Sequence, residues 1–190
     1  MSEHLKVKVI CFGDSNTFGY DPRSYIGERY PTRSRWVDIL AENTGWEVRN
    51  NGMNGRKIPS RETVFSKSTD LLIIMLGTND LLQGKRPDEV AARMARFLHS
   101  LHIDKERLLL IAPPPMQRGE WVREQRLLDD SAVLAKEYAA LAENAGVHFA
   151  DAGKWNVAIS FDGVHFTEDG NKAFAHGLYT YLHDMKIMEK

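Results

Sequence analysis

The chain has 190 residues, 25 Lys and Arg against 26 Asp and Glu, a formal net charge of −1, and 43% hydrophobic with 27% charged residues. These values exclude a disordered chain and the basic footprint of a nucleic-acid binder, and the length suits one domain, residues 1–190, burying about 70% of its unfolded surface. The single cysteine, Cys11, excludes an intrachain disulfide. No apolar run approaches the ~18 residues of a membrane span, and the first residues lead almost directly into a strand-like run, so a cytoplasmic protein with no membrane partner is expected.

Val7–Phe12 is short, rich in β-branched residues and stopped by Gly13, the pattern of a strand ending in a turn. Arg35–Asn43 places Trp36, Ile39 and Leu40 at helical spacing, with Gly45 as the stop. Trp46–Arg49 is a weaker strand. Leu71–Leu76 is continuously apolar, as a strand buried on both faces should be. Pro87 opens a helix running to His102, with Val90, Met94, Phe97, Leu98 and Leu101 on one stripe. Leu108–Ala112 is a second buried strand, closed by Pro113–Pro115. A long amphipathic helix is predicted from about Leu127 to Asn144, then a short strand over Val147–Ala150. The last helix runs from Thr167, its expected cap, to about Met185.

Strands alternating with helices pair in parallel through crossovers, which predicts an α/β fold: a three-layer α/β/α sandwich with a parallel central sheet. Pro113–Arg126 is the longest unassigned stretch and reads as a loop over a site. Ligands of such sheets bind beyond the carboxyl ends of the strands. Four polar turns fall there: Gly13–Thr17, Asn50–Arg56, Gly77–Asp80 and, before the last helix, Phe161–Thr167. Each alone is an ordinary cap or turn. Together they supply one chemistry. A serine hydroxyl is a weak nucleophile until a neighbouring base takes its proton, and histidine is the base suited to neutral pH. The base needs a carboxylate to fix its tautomer, and Asp162 lies three residues before His165. The N–H groups of Ser15 and Gly55 and the amide of Asn79 would hold the oxyanion, where one donor is worth about 2.7–4 kcal/mol.

In this order and spacing, GDSNT (13–17), the Asn-Gly pair before Arg56, GTND (77–80) and DGVHFT (162–167) resemble the four blocks of the SGNH, or GDSL-type, hydrolases, over the whole chain from Phe12 to the final helix. The resemblance implies a flavodoxin-like fold, with Ser15 as nucleophile, His165 as base and acid, and Asp162 as its orienting carboxylate. Ser15, Gly55 and Asn79 would form the oxyanion hole. Gly55 is preferred to Gly52 because the family's second-block glycine lies a few residues into its turn. Asn16 stands where the older motif name has leucine. The arylesterase and acyltransferase branch is the most similar, which implies a serine esterase for small-acyl esters, able also to pass the acyl group to an alcohol, with no metal or organic cofactor. Carbohydrate O-deacetylases, lysophospholipases and thioesterases share the frame and are the alternatives.

The G-x-S-x-G elbow of α/β-hydrolases, the phosphate-binding P-loop and the dinucleotide G-x-G-x-x-G are all absent. The non-enzyme alternative is a flavodoxin-like module holding a phosphate or flavin on the Ser15–Thr17 turn, which leaves Asn79, Asp162 and His165 without a role. His99 and His102 have helical spacing but no evident metal-binding partners, and Cys11 reads as a core residue. The substrate is expected to be a small-molecule ester, contacted by Asp14 and Trp121. The loops Tyr20–Arg33 (with Tyr25), Leu81–Arg86 and Pro113–Arg126 are expected to select it. Homo-oligomer formation is left open by the sequence.

Overall fold

The computed structural model describes residues 6–24 and 26–185; Tyr25, expected in the first selecting loop, lies outside them. Five strands, β1 (Lys8–Gly13), β2 (Glu47–Gly52), β3 (Leu71–Met75), β4 (Leu108–Ala112) and β5 (His148–Asp151), form one sheet in the order β2-β1-β3-β4-β5. Every pair is parallel. This is the flavodoxin-like order, in which the chain reverses its direction of travel between β1 and β3.

The alternation of side chains sorts two cores. Phe12, Leu72, Ile74 and Leu110 face one side, where they meet Val90, Met94 and Phe97 of α4 (Pro87–His99) and Leu134 and Tyr138 of α5 (Gln125–Ala145). Val9, Cys11, Ile73 and Leu109 face the other, against Trp36 and Leu40 of α2 (Trp36–Thr44) and Phe174 and Leu178 of α6 (Glu168–Asp184). β3 and β4 are buried along their full length, which is why their sequences show no alternation. Thr167 caps α6 by accepting the Gly170 N–H at 2.9 Å. Two further short helices, α1 (Ser15–Phe18) and α3 (Thr78–Leu82), follow β1 and β3 where the sequence suggested only turns.

Two expectations are corrected. The helix opened by Pro87 stops at His99, not His102, although Leu101 stays buried beyond it. More importantly, no helix joins β2 to β3: residues 53–70 are irregular, and this segment, not Pro113–Arg126, is the longest irregular connection among the described residues. Its sequence, with Gly55, Pro59 and scattered polar residues, lacks a helical apolar period. It is pinned instead at single points. Ile58 is buried in the core, its N–H donates to Asp80 Oδ2 at 3.0 Å, and Phe65 meets the Phe12 ring edge-on at 5.1 Å.

Where β1 ends, α1 lies directly against the end of β2. Gly13 is in register with Gly52, and a Cβ at Gly52 would stand 2.1 Å from the Phe18 nitrogen and 2.5 Å from the Thr17 carbonyl carbon. Both clashing atoms are backbone, so no rotamer relieves them. Asn50 fastens the same junction by donating from Nδ2 to the Thr17 carbonyl at 2.8 Å. Gly52→Ala is therefore expected to destabilise the fold by about 1–3 kcal/mol, read as a fall in the denaturant midpoint; an unchanged midpoint would show that the junction tolerates a methyl group.

Candidate active site

The parallel sheet delivers the ends of β1 and β3 side by side, with Gly13 in register with Met75. Ser15 opens α1 immediately beyond the first end, and Asn79 lies in α3 immediately beyond the second. Ser15 is the first residue of its helix, so its N–H has no acceptor within that helix. The Phe161–Thr167 turn comes over the same edge from the far end of the chain.

There the side chains form a buried row. The Ser15 Oγ lies 2.9 Å from His165 Nε2, and His165 Nδ1 lies 2.6 Å from Asp162 Oδ2. Ser15, His165 and Asp162 are 6%, 3% and 1% exposed. Burial alone would raise the Asp162 carboxyl pKa, but hydrogen bonds from the His165 ring, the His165 N–H at 3.0 Å and the Val164 N–H at 2.9 Å outweigh it and hold the group below the usual carboxylate range. An ionised carboxylate only accepts, so Nδ1 carries the imidazole proton and Nε2 is left to accept from the Ser15 hydroxyl. Rings flank the imidazole: Tyr20 with its centroid at 4.6 Å, and Trp121 edge-on at 5.1 Å.

A cleft of about 250 Å³ opens over this row, bounded by Ser15, His165, Gly55, Asn79 and Trp121. Gly55 has φ of +70°, a left-handed conformation that glycine adopts without strain, and it bends the turn after β2 toward Ser15. Gly52, by contrast, is committed to the packing of α1. Asn79 donates one Nδ2 hydrogen to the Arg56 carbonyl at 3.2 Å, which fixes the amide plane and leaves its second hydrogen free of that bond. Arg56 in turn donates to the carbonyls of Gly13 and Asn51 and lies over the Phe12 ring, tying the ends of β1 and β2 together.

The structure thus brings Ser15, Gly55, Asn79, Trp121 and His165 to one cleft, with Asp162 behind the histidine. Asp14 is placed differently from the expected substrate contact. It is 2% exposed, does not line the cleft, and caps α1 by accepting the Asn16 N–H at 3.0 Å. Burial pushes its pKa up to about 6, against the opposing pull of the Asn16 N–H, His165 and Arg56. The same placement counts against the phosphate or flavin reading, because it sets a buried carboxyl at the start of a helix only four residues long. His102 faces Glu62 on the surface, 3.3 Å away, and does not line the cleft. The cleft also takes Tyr20, Asn54, Leu82 and Val164. Sequence reasoning placed Tyr20 and Leu82 only within selecting loops; Asn54, half of the Asn-Gly pair, and Val164, inside the histidine block, carried a usable signal.

A flavodoxin-like α/β/α sandwich with a Ser–His–Asp row beyond its β1 end has the architecture of an SGNH hydrolase. The chain belongs to the GDSL-like lipase/acylhydrolase family, whose sequence pattern matches residues 11–173, and it is a carboxylic ester hydrolase. It is 27% identical, over 98% of its length and 85% of the relative's, to the isoamyl acetate-hydrolyzing esterase 1 homolog of Rattus norvegicus. Among solved structures it is similar to the aryl esterase of M. smegmatis (TM-score 0.81, 26% identity, 94% of this chain and 99% of that one). It is also similar to the carbohydrate acetylesterase Est24 of Sinorhizobium meliloti (TM-score 0.77, 25% identity, 95% and 100%). Among the described residues, no helix is long and apolar enough to cross a membrane.

The Asp14 shift has a sign. With a folded pKa of about 6 against an ordinary value of 3.8, the folded chain holds a proton that the unfolded chain has lost, so this group's contribution falls as pH rises from about 4 to above 6. Asp14→Asn keeps a cap acceptor and removes the titration. It is expected to gain stability over wild type on raising pH through that window, on the order of 2–3 kcal/mol at pH 7, measured by urea unfolding at pH 4.5 and 7. A constant difference between the two proteins would refute a buried, reluctant carboxyl.

Proposed function

We propose that the protein hydrolyses esters of small acyl groups through an acyl-serine intermediate, a reading supported above all by the buried Ser15–His165–Asp162 row, with its distances of 2.9 and 2.6 Å. Ser15 Oγ attacks the ester carbonyl carbon as His165 Nε2 takes the hydroxyl proton. The carbonyl oxygen becomes an oxyanion received by the N–H groups of Ser15 and Gly55 and by Asn79 Nδ2. The intermediate collapses, the bond to the alcohol oxygen breaks, and His165 gives that oxygen the proton. Water then attacks the acyl-serine with His165 again as base, the bond from Ser15 Oγ to the acyl carbon breaks, the acid leaves, and His165 returns the proton to Oγ; an alcohol in place of water completes an acyl transfer. Asp162 stays ionised throughout and stabilises the imidazolium. None of these steps calls on a metal or organic cofactor.

The small first cleft, about 250 Å³ with Trp121 as one wall, favours short acyl groups. A second reading, a carbohydrate acetylesterase, draws on the adjoining hollow of about 510 Å³. There, exposed Trp121 and Phe161 stand beside Arg23, Ser24 and Glu120, a mixture of flat apolar faces and polar groups suited to a sugar alcohol.

Hydrolysis of p-nitrophenyl acetate, butyrate and octanoate tests the main reading. The acetate should turn over fastest. Ser15→Ala should lose kcat by roughly 10³-fold or more and Asn79→Ala by about 10²–10³-fold. Turnover that survives in Ser15→Ala would remove the acyl-serine. Release of acetate from acetylated sugars faster than from p-nitrophenyl acetate would transfer the assignment to the second reading.

A further inference from the structure

Asn16, the residue after Ser15, is 5% exposed and uses its side chain in an unusual place. Its Oδ1 accepts the Phe166 N–H at 2.9 Å, and its Nδ2 donates to the Val164 carbonyl at 3.2 Å. These two backbone groups flank His165. They are the pair that a neighbouring β-strand would engage, and a single side-chain amide substitutes for that strand. The amide is itself held, because its residue's carbonyl accepts the Trp36 Nε1–H at 2.9 Å and its N–H is capped by Asp14.

The remaining bonds around His165 mostly tie its turn to itself. Asp162 Oδ1 accepts the N–H groups of Val164 and His165, and the His165 carbonyl accepts the Ser160 N–H at 2.7 Å. These fix the shape of the turn but not its distance from α1. Besides the Ser15–His165 contact, the side chain of Asn16 supplies the hydrogen bonds that join α1 to this turn, 148 and 150 residues away in sequence. A hydrophobic side chain at this position offers neither bond.

We propose that Asn16 is a positioning residue: it sets the separation of Ser15 Oγ and His165 Nε2 by clamping the backbone on both sides of His165 to the nucleophile's own helix. The proposal rests on the Ser15–His165 reading and concerns the geometry of proton transfer, where a misplacement near 1 Å can cost about 10²-fold. It acts through the histidine alone. The clamp stands on the buried side of the turn, and Asn16 is not among the residues lining the cleft.

The test is a double-mutant cycle on p-nitrophenyl acetate with Asn16→Leu and His165→Ala. Asn16→Leu should lower kcat by about 10- to 100-fold with KM changed less than about 2-fold. In the His165→Ala background, where the oxyanion donors still leave measurable catalysis, adding Asn16→Leu should change the rate by less than about 2-fold. A residue that merely holds the fold together would cost the same in both backgrounds, and that result overturns the proposal. So does wild-type kcat in Asn16→Leu. If the leucine variant does not fold, Asn16→Ala removes both bonds without added bulk and is read by the same cycle. If His165→Ala itself keeps full activity, the serine–histidine reading fails with the clamp. That outcome is told apart by the histidine single mutant.

Discussion

All five strands run in one direction, and the rest of the molecule follows from that constraint. A parallel strand cannot be joined to its neighbour by a tight hairpin, so each must return through a crossover, and every segment that leaves a strand leaves from the same edge. The order β2-β1-β3-β4-β5 then places the ends of β1 and β3 next to one another at the point where the winding reverses. Ser15 and Asn79, 64 positions apart in the sequence, become neighbours without either being folded toward the other. The Asp162–His165 turn is the exception, since it arrives from beyond β5 and needs attachments of its own. The structure supplies them through Asn16, the Tyr30 hydroxyl donating to the Phe166 carbonyl at 3.2 Å, and the paired loop that carries Trp121.

Two aspartates sit in this small region and their environments push them apart. Both are almost wholly inaccessible. Asp162 accepts from two backbone N–H groups and an imidazole, and this donor set keeps it charged. Asp14 has the Asn16 N–H as its named hydrogen bond, and desolvation dominates. Asp162, which accepts from three donors including the His165 ring, is held ionised, whereas Asp14, with a single backbone donor, is pushed up by burial. The acid adjacent to Ser15 in sequence is therefore the cap of a helix, and the acid that contacts His165 lies 148 residues beyond it.

The blocks around Ser15, Asn79 and His165 could be read in the sequence because each is local: a strand, a glycine and a polar turn within a few residues. The two buried strands, Leu71–Met75 and Leu108–Ala112, were legible for the same reason, since burial on both faces leaves an unbroken apolar run. What escaped was held by contacts between distant segments. The irregular stretch of residues 53–70 has no period of its own and takes its path from Ile58 in the core and from Asp80 and Arg93, which bind the two sides of the Ile58 peptide. The role of Asp14 depended on how deeply it is buried, which a GDS triplet does not state. Asn16 could be seen as a departure from a motif, but its use required the position of Val164 and Phe166 in space.

The loop bearing Trp121 is laced to the turn that bears Asp162 and His165. Glu120 N–H donates to the Phe161 carbonyl at 3.1 Å, Trp121 N–H to the Asp162 carbonyl at 3.0 Å, and Gln117 N–H to the Gly163 carbonyl at 3.0 Å. These bonds are made by main chain on both sides, so they do not depend on which side chain stands at 121. The scaffold thereby separates two inheritances. The side chain at 121 can be exchanged for a smaller, larger or more polar one while the backbone that carries His165 keeps its place.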